Sequence, residues 1–271
     1  LQHAYFDWQK PPTFVLLVGD ASWNPRQLNS GNAYYAGDRQ TDFIPTRLFE
    51  SRIDHFEAAS DNWFVCVDGE EDVLPDMLIG RLPANTAHQV EEMIAKIIAY
   101  ESAADSSFQP IATFVADKGE GGVLAFEDTS DALAEFVPSH VAIEKLYLSE
   151  LGMPETKHQV MQAFSRGSLL VSYFGHGSVK SWSASTVFSR DDVPFLQPTR
   201  SLPFVFTMSC INGYFVEPAE QNSALAEALL RAPDGGAIAM FSASGEALPS
   251  PIFALANQFY SSLFEHGLLS C

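Results

Sequence analysis

The sequence is poor in basic side chains and has no long apolar run. Only 15 of its 271 residues are Lys or Arg, against 34 Asp or Glu, and the formal net charge is −19. Nucleic-acid backbones and anionic lipid surfaces are bound through clustered Lys and Arg, so we expect neither as a partner. The longest apolar stretches, such as 168–174 and 237–241, are far shorter than the roughly 18 residues that span a bilayer, so membrane insertion is not expected either.

Cysteine is scarce as well. Cys66, Cys210 and Cys271 are too few for a disulfide scaffold and too dispersed for a zinc ribbon, so at least one thiol is expected to be free. The chain begins at Leu1, without an initiator Met and without the basic segment and apolar run of a signal peptide. We therefore expect a processed or trimmed product.

Apolar runs of strand length alternate with segments of helical periodicity, and 46% of the residues are hydrophobic. This pattern predicts an α/β fold with mainly parallel sheets flanked by helices. The polar link that follows position 103 suggests two side-by-side subdomains, 1–103 and 104–271. Strands are predicted at 13–19, 62–68, 76–80, 111–116, 142–148, 168–174, 202–208 and 236–242, and helices at about 87–102, 126–136, 155–166, 223–230 and 251–265, the last with Ser250 as its cap.

The helix before the polar link has the clearest periodicity. Its apolar residues recur three and four positions apart, which places them on one face of a helix capped by Asn85 or Thr86. These residues are Val90, Met93, Ile94, Ile97 and Ile98.

Two predicted strands end in unusual polar segments. One leads into His176 between Gly175 and Gly177, and the other leads into Cys210, followed by an Asn-Gly turn. Reactive groups of α/β folds collect at the carboxyl ends of strands, and the spacing allows one crossover between neighbouring parallel strands. A thiol beside an imidazole indicates nucleophilic catalysis; a buried cysteine and a surface histidine are the structural alternative. Ser178 and Ser209 are rival nucleophiles, but neither lies in a Gly-x-Ser-x-Gly elbow.

The segments 173–177 (YFGHG) and 207–215 (TMSCINGYF) resemble the catalytic His and Cys blocks of the gingipain family of cysteine peptidases, which share the caspase-like fold. Segments 18–20, 60–63, 76–83 and 235–239 agree with the same family in the same order. The resemblance covers nearly the whole chain. It implies a caspase-like catalytic subdomain at 104–271.

The resemblance assigns roles to individual residues. It implies that Cys210 is the nucleophile, that His176 is the general acid and base, and that the N–H groups of Gly177 and Cys210 stabilise the oxyanion. Asp76 matches a family glutamate that orients the imidazole but is one methylene shorter. Its alternative role is an ion pair with Arg81 or another cation.

The sequence indicates the residues that set substrate preference less clearly than the catalytic residues. Strand alternation points Phe174 and Met208 to one face, so both are candidates for the specificity pocket, with core packing as the alternative. Ser244, in the loop 242–250, is a candidate for another wall. Gingipains select arginine or lysine through an acidic pocket residue, but the matching position lies near Gln89, so basic specificity is not carried over. Glu246 is a candidate for the missing acidic pocket residue, and a solvated loop glutamate is the alternative.

No cofactor is expected for catalysis. The segment 118–122 (KGEGG) lacks the full pattern of a phosphate loop and is flanked by carboxylates that repel phosphate. The acidic turn 68–72 is usually solvated charge, but the resemblance leaves structural calcium as an alternative.

The sequence therefore predicts a secreted or cell-surface cysteine endopeptidase that acts on protein or peptide substrates through a thioester acyl-enzyme. Two alternatives remain: an inactive binding module of the same fold, and an acyltransferase (transpeptidase) that uses the same thioester. The oligomeric state is not predicted.

Overall fold

The computed structural model describes residues 1–25, 42–51, 57–69, 71–102, 110–119, 126–197, 199, 201–217 and 222–265. Seven helices and eleven strands lie in these ranges. The helices are α1 (Gln2–Asp7), α2 (Ala87–Ser102), α3 (Phe126–Ala134), α4 (Leu148–Leu151), α5 (Met153–Arg166), α6 (Leu225–Arg231) and α7 (Pro249–Phe264). The strands are β1 (Phe14–Val18), β2 (Arg47–Glu50), β3 (Glu57–Ser60), β4 (Leu78–Leu82), β5 (Ile111–Ala116), β6 (Ala142–Tyr147), β7 (Leu170–Phe174), β8 (Ser181–Trp182), β9 (Phe188–Ser189), β10 (Phe204–Met208) and β11 (Ala239–Ser242).

The chain divides into two compact units. One contains Leu1–Glu91 and Tyr214–Ser223, and the other contains Glu92–Gly213 and Ala224–Cys271. The boundary lies inside α2, not after it, and a short later segment joins the first unit.

The second unit is built on a five-stranded parallel sheet in the order β11-β10-β7-β5-β6. The predicted α/β class with mainly parallel strands is confirmed. Parallel strands need crossover connections, which here carry the helices to both faces of the sheet.

Each face of this sheet has its own apolar core. On one face, Phe114 and Phe206 pack with Leu133 of α3 and Tyr260 of α7. On the other face, the side chains of Val171 and Val205 pack with α5 and α6, and with the ring of Trp182. Burial on both faces explains why these strands are nearly continuous apolar runs in the sequence.

The first unit contains two small sheets. β1 pairs with β4 in parallel, and β2 pairs with β3 in an antiparallel arrangement that the sequence pattern does not predict. The strand predicted at 13–19 is confirmed as β1, but the burial expected of such an apolar run is wrong. Phe14, Leu16 and Val18 are 70%, 61% and 40% exposed, because one face of this two-stranded sheet is uncovered by the described residues.

Two other local predictions are wrong. The run 62–68 is not a strand, because Asp61–Val65 forms a 3-10 turn and the thiol of Cys66 donates to the carbonyl of Asn62. A short apolar run cannot by itself distinguish a strand from a helical turn. α7 begins at Pro249 with Leu248 as its cap, so Ser250 is not the cap. Proline suits a first helical position because its missing N–H has no partner there anyway.

The predicted helix before the link is confirmed as α2, and Thr86 caps it by accepting the N–H of Gln89 at 3.2 Å. Of the apolar stripe only Met93 is fully buried. Lys96 is buried as well, and its ammonium donates to the carbonyls of Leu230 at 2.7 Å and Ala232 at 2.8 Å. Burial lowers the pKa of Lys96 to about 8, against an opposing effect of Glu92. The lysine thus donates hydrogen bonds to carbonyls at the C-terminal end of α6, which lack partners within the helix.

No helix in the described part of the chain is long and apolar enough to cross a membrane.

Candidate active site

The two polar segments singled out in the sequence leave the sheet side by side. β7 and β10 are neighbours in parallel register, with Phe174 opposite Met208 as their last pair. The N–H of Gly175 then donates to the carbonyl of Met208 at 3.3 Å. We call the residues 175–178 the His loop and the residues 209–213 the Cys loop. Because both strands end at one edge, the structure brings His176 and Cys210 to the same end of the sheet.

The two loops are in direct contact. A methyl group added at Gly177 would lie 2.7 Å from Cβ and Oγ of Ser209 and 2.8 Å from the carbonyl oxygen of Cys210. The His loop therefore needs glycine at this position, because any side chain would separate the loops. This requirement explains the second glycine of the Gly-His-Gly segment.

Asn212 connects the loops through hydrogen bonds. Its side chain is fully buried, its Oδ1 accepts the hydroxyl of Ser209 at 2.6 Å, and its Nδ2 donates to the carbonyls of Ser178 and Ser181. The Ser209 hydroxyl is thus a hydrogen-bond donor within the loop contact, which gives this rival nucleophile a structural role.

We expect Asn212→Ala to lower the free energy of unfolding by about 3 kcal/mol, because it removes the acceptor of the buried Ser209 hydroxyl and a donor to each of the carbonyls of Ser178 and Ser181. Urea denaturation followed by circular dichroism measures the loss. Asn62→Ala is the control, since among the described residues the Asn62 amide makes a single 3.5 Å contact, with the thiol of Cys66 on an exposed turn. A loss below about 1 kcal/mol for Asn212→Ala would contradict a linking role.

Cys210 lies at a strained turn and is partly exposed. The next residue, Ile211, has φ 47°, which is rare for a β-branched side chain. Its N–H donates to Gly245 and that of Gly213 donates to Ala243, at 3.0 and 2.9 Å. The loop after β11 therefore holds the strained turn in place. Strain of this kind is concentrated at functional sites.

His176 is half-buried and tightly held. Its ring packs edge-on against Phe126, with centroids 5.4 Å apart. Its carbonyl accepts the hydroxyl of Tyr173 at 2.6 Å and the N–H of Ser183 at 2.8 Å, and its N–H donates to Asp117 at 3.3 Å. The sequence pattern does not single out Asp117 as a site residue, although it directly follows a predicted strand at the same end of the sheet.

The comparison with known families decides the relationship. The sequence model described as "Peptidase family C25" matches residues 1–270. The chain belongs to peptidase family C25. Membership confirms the resemblance to gingipains that was inferred from the His and Cys blocks.

Curated relatives of this C25 chain include gingipain R2 and gingipain R1 of Porphyromonas gingivalis. Each is 28% identical over 229 residues, or 83% of this chain. The matched region is 27% of gingipain R2 and 20% of gingipain R1, so the chain spans about a quarter or less of these relatives.

Solved structures show the same fold. The crystal structure of the Arg-specific cysteine proteinase gingipain R superposes with a TM-score of 0.78 at 22% identity, covering 98% of this chain and 56% of that one. A complex of the P. gingivalis RgpB pro- and mature domains superposes with a TM-score of 0.74 at 21% identity, covering 97% of this chain and 56% of that one.

Asp76, which the resemblance implies orients the imidazole, lies in the first unit. Asp76 is half-buried, and its Oδ2 accepts the N–H of Val67 at 2.9 Å. Arg81 pairs with Asp61, to which its Nε and Nη2 each donate at 2.7 Å. The role of Asp76 towards His176 stays a prediction.

The residues inferred to line a specificity pocket lie in two environments. Phe174 and Met208 are both 4% exposed and belong to the core cluster with α3 and α7, so they present little surface to a substrate. Ser244 is half-buried in the loop after β11. Their contribution to substrate binding stays a prediction. Gln89, near the position of the acidic pocket residue of gingipains, accepts the N–H of Asn85 at 2.7 Å through its side chain.

The acidic turn does not form a cation site with the residues that the structure describes. Asp72 accepts the N–H groups of Asp68 and Leu74 at 3.2 and 3.0 Å, and no group of three or more His, Cys, Asp or Glu in the described ranges could hold a metal ion. Glu70 lies outside the described residues, as does most of the segment 118–122. Structural calcium stays an untested alternative.

Proposed function

We propose that the chain is the catalytic part of a cysteine endopeptidase in which Cys210 and His176 form the reacting pair. One observation carries this proposal. Neighbouring parallel strands β7 and β10 deliver a half-buried imidazole and a partly exposed thiol to one sheet edge, where their loops touch at Gly177. Membership of peptidase family C25 and the fold shared with a cysteine proteinase support the same activity.

In this mechanism His176 accepts the proton of the Cys210 thiol, and the resulting thiolate attacks the carbonyl carbon of the scissile peptide bond as the carbonyl π electrons move to oxygen. The tetrahedral oxyanion collapses as His176 protonates the leaving amine. A thioester joins the acyl group to Cys210. His176 then removes a proton from water, whose oxygen attacks the thioester, and the carboxylic acid leaves as the thiol is regenerated.

The backbone around Gly177 supports its role as an oxyanion donor. The N–H of Ser178 donates to the carbonyl of Ser181, and the N–H of Ser183 donates to the carbonyl of His176. These two bonds flank Gly177 and Trp182, which therefore form a non-hydrogen-bonded antiparallel pair. In such a pair the N–H points away from the opposite strand. The N–H of Gly177 is therefore directed away from Trp182, in a residue that touches Cys210. A donor of this kind contributes about 3 kcal/mol to transition-state stabilisation.

Selective alkylation tests the nucleophile. We expect iodoacetamide to modify Cys210 faster than Cys66 at neutral pH, and cleavage of a peptide library to fall in parallel with modification of Cys210. Burial, together with Asp72 and Asp76, raises the pKa of the Cys66 thiol, which keeps less of it as the reactive thiolate. Peptide mass spectrometry reads the site, and the digest with and without calcium reads substrate preference and metal dependence.

The same digest separates the two alternatives. Equal modification of both thiols without any cleavage would favour a binding module of the same fold. Ligated peptides in the mass spectra would show that an amine replaces water at the thioester, as in a transpeptidase. No contact in the described residues favours either alternative over hydrolysis. We also propose a secreted or cell-surface location on the family relationship.

A further inference from the structure

A buried carboxylate lies directly behind the His loop. Asp117 follows β5 and is 5% exposed. Its Oδ2 accepts the N–H of His176 at 3.3 Å, and its Oδ1 accepts the hydroxyl of Ser183 at 2.9 Å and the N–H of Lys118 at 2.8 Å. Its own N–H donates to the carbonyl of Phe174 at 2.8 Å, which extends the β5–β7 ladder by one bond. The three donors compensate for the burial of the Asp117 carboxylate, which would be costly without them.

Asp117 and two neighbours fix both peptide groups of His176. Asp117 accepts the N–H, while the carbonyl accepts the hydroxyl of Tyr173 and the N–H of Ser183. Burial, followed by the charge of Asp117, raises the pKa of Tyr173 well above its usual value, so the phenol stays a neutral donor. The ring of Tyr173 stacks on Trp182 with centroids 4.6 Å apart, which immobilises that donor.

The space beneath the His loop is filled by the same side chains. A methyl group added at Gly175 would lie 2.3 Å from Cβ of Asp117 and 2.5 Å from Oη of Tyr173. Ser183 adopts φ 62°, a left-handed conformation that is uncommon for serine, and its hydroxyl bond to Asp117 stabilises it there. The loop therefore has one position, set by contacts on both sides.

We propose that Asp117 is the positioning residue of His176: it holds the backbone of the histidine so that the imidazole stays within proton-transfer reach of Cys210. This inference rests on the proposed function. Asp117 touches the peptide group of His176 and not the reacting atoms, so it is not a catalytic residue. Proton transfer requires hydrogen-bond distances, and a displacement of about 1 Å reduces rates by a factor on the order of 100.

Asp117→Asn tests the proposal at nearly constant shape. The amide keeps one accepting oxygen and turns the other into a donor, which opposes the N–H or hydroxyl groups around it. We expect kcat to fall by a factor on the order of 10 to 100 with KM within about two-fold. We also expect the acidic limb of the Cys210 alkylation rate to move to higher pH, because a displaced imidazole stabilises the thiolate less.

Asp192→Asn is the matched control. Asp192 also accepts a backbone N–H and a serine hydroxyl, both from Ser189, at 2.9 and 2.8 Å, and it pairs with Lys157. We expect this variant to lower the melting temperature without changing kcat or the alkylation profile. A purely structural role for Asp117 would make the two variants behave alike.

Tyr173→Phe is the second variant and removes only one hydroxyl from the network. We expect it to lower kcat by about five-fold with the same shift in the alkylation profile, even if Asp117→Asn does not fold. The proposal is overturned if Tyr173→Phe, or a folded Asp117→Asn, retains the wild-type kcat and alkylation profile.

Failure of the proposed function is distinguishable from failure of the Asp117 assignment. If the wild-type protein cleaves no peptide, the activity proposal fails. The pH dependence of Cys210 alkylation then still tests Asp117, because it reports the thiol–imidazole pair without turnover. An unchanged alkylation profile in both variants rejects Asp117 in that case as well.

Discussion

Cys210→Ala is expected to lower kcat/KM for peptide cleavage by at least about 10⁴-fold, because removing a nucleophile eliminates the covalent route. The fold should survive the change. The only hydrogen bond of the thiol in the described residues is a 3.8 Å contact with the carbonyl of Ala247, and the turn around it is held by backbone bonds to Gly245 and Ala243. The measurement is the cleavage rate of the best substrate from the library, with circular dichroism to verify folding.

Cys66→Ala is the control for the loss of a thiol. Cys66 lies after the 3-10 turn of the first unit, and its sulfur donates to Asn62 at 3.3 Å. We expect wild-type cleavage from this variant. Cleavage by Cys210→Ala above a tenth of the wild-type rate would reject Cys210 as the nucleophile. Ser209 would then have to be tested as the alternative.

Gly177→Ala is expected to have the second largest effect, a fall in cleavage of at least about 100-fold together with a lower melting temperature. The added methyl would lie 2.7 Å from Ser209 and 2.8 Å from the carbonyl oxygen of Cys210, closer than the 3.0 Å that real Cβ atoms respect. Both neighbours belong to the Cys loop, so the loops must separate. Separation moves His176 away from Cys210 and displaces the proposed oxyanion donor at the same time.

Gly80→Ala is the matched control, because Gly80 lies in β4 and a methyl group there meets nothing within 4 Å. We expect that variant to cleave at the wild-type rate. Equal activity of Gly177→Ala and Gly80→Ala would show that the contact between the loops is not required for catalysis. A loss of stability without a loss of activity would lead to the same conclusion.

Much of the second unit could be predicted because its sheet is covered on both faces. Strands such as Ile111–Ala116 and Phe204–Met208 lie in near-continuous apolar runs, and the helices between them keep a regular apolar period. The first unit was predicted less well. Its antiparallel pair of β2 and β3 has no apolar run, and the apolar residues of Asp61–Val65 form a 3-10 turn. Short segments carry too little periodicity to separate these outcomes.

The candidate site shows the same division. His176 and Cys210 were found because glycines and a turn surround them at predicted strand ends. Asp117 was not found, since its carboxylate acts on His176 and Ser183, which lie 59 and 66 positions further along the chain. Nothing in the local pattern separates it from the other acidic residues of an acidic protein. Burial and the donors that surround it distinguish it, and both are properties of the folded chain.

By itself, then, the sequence determined the α/β class and the family, and it supplied the two side chains that we propose as the reacting pair, because these depend on local periodicity and local motifs. The tertiary structure decided what requires contacts between distant segments. It set Phe174 opposite Met208, brought Gly177 against Cys210, and placed a buried carboxylate behind His176. It also placed Phe174 and Met208 in the core cluster, because the face of a strand that is covered by helices is set by packing and not by alternation alone.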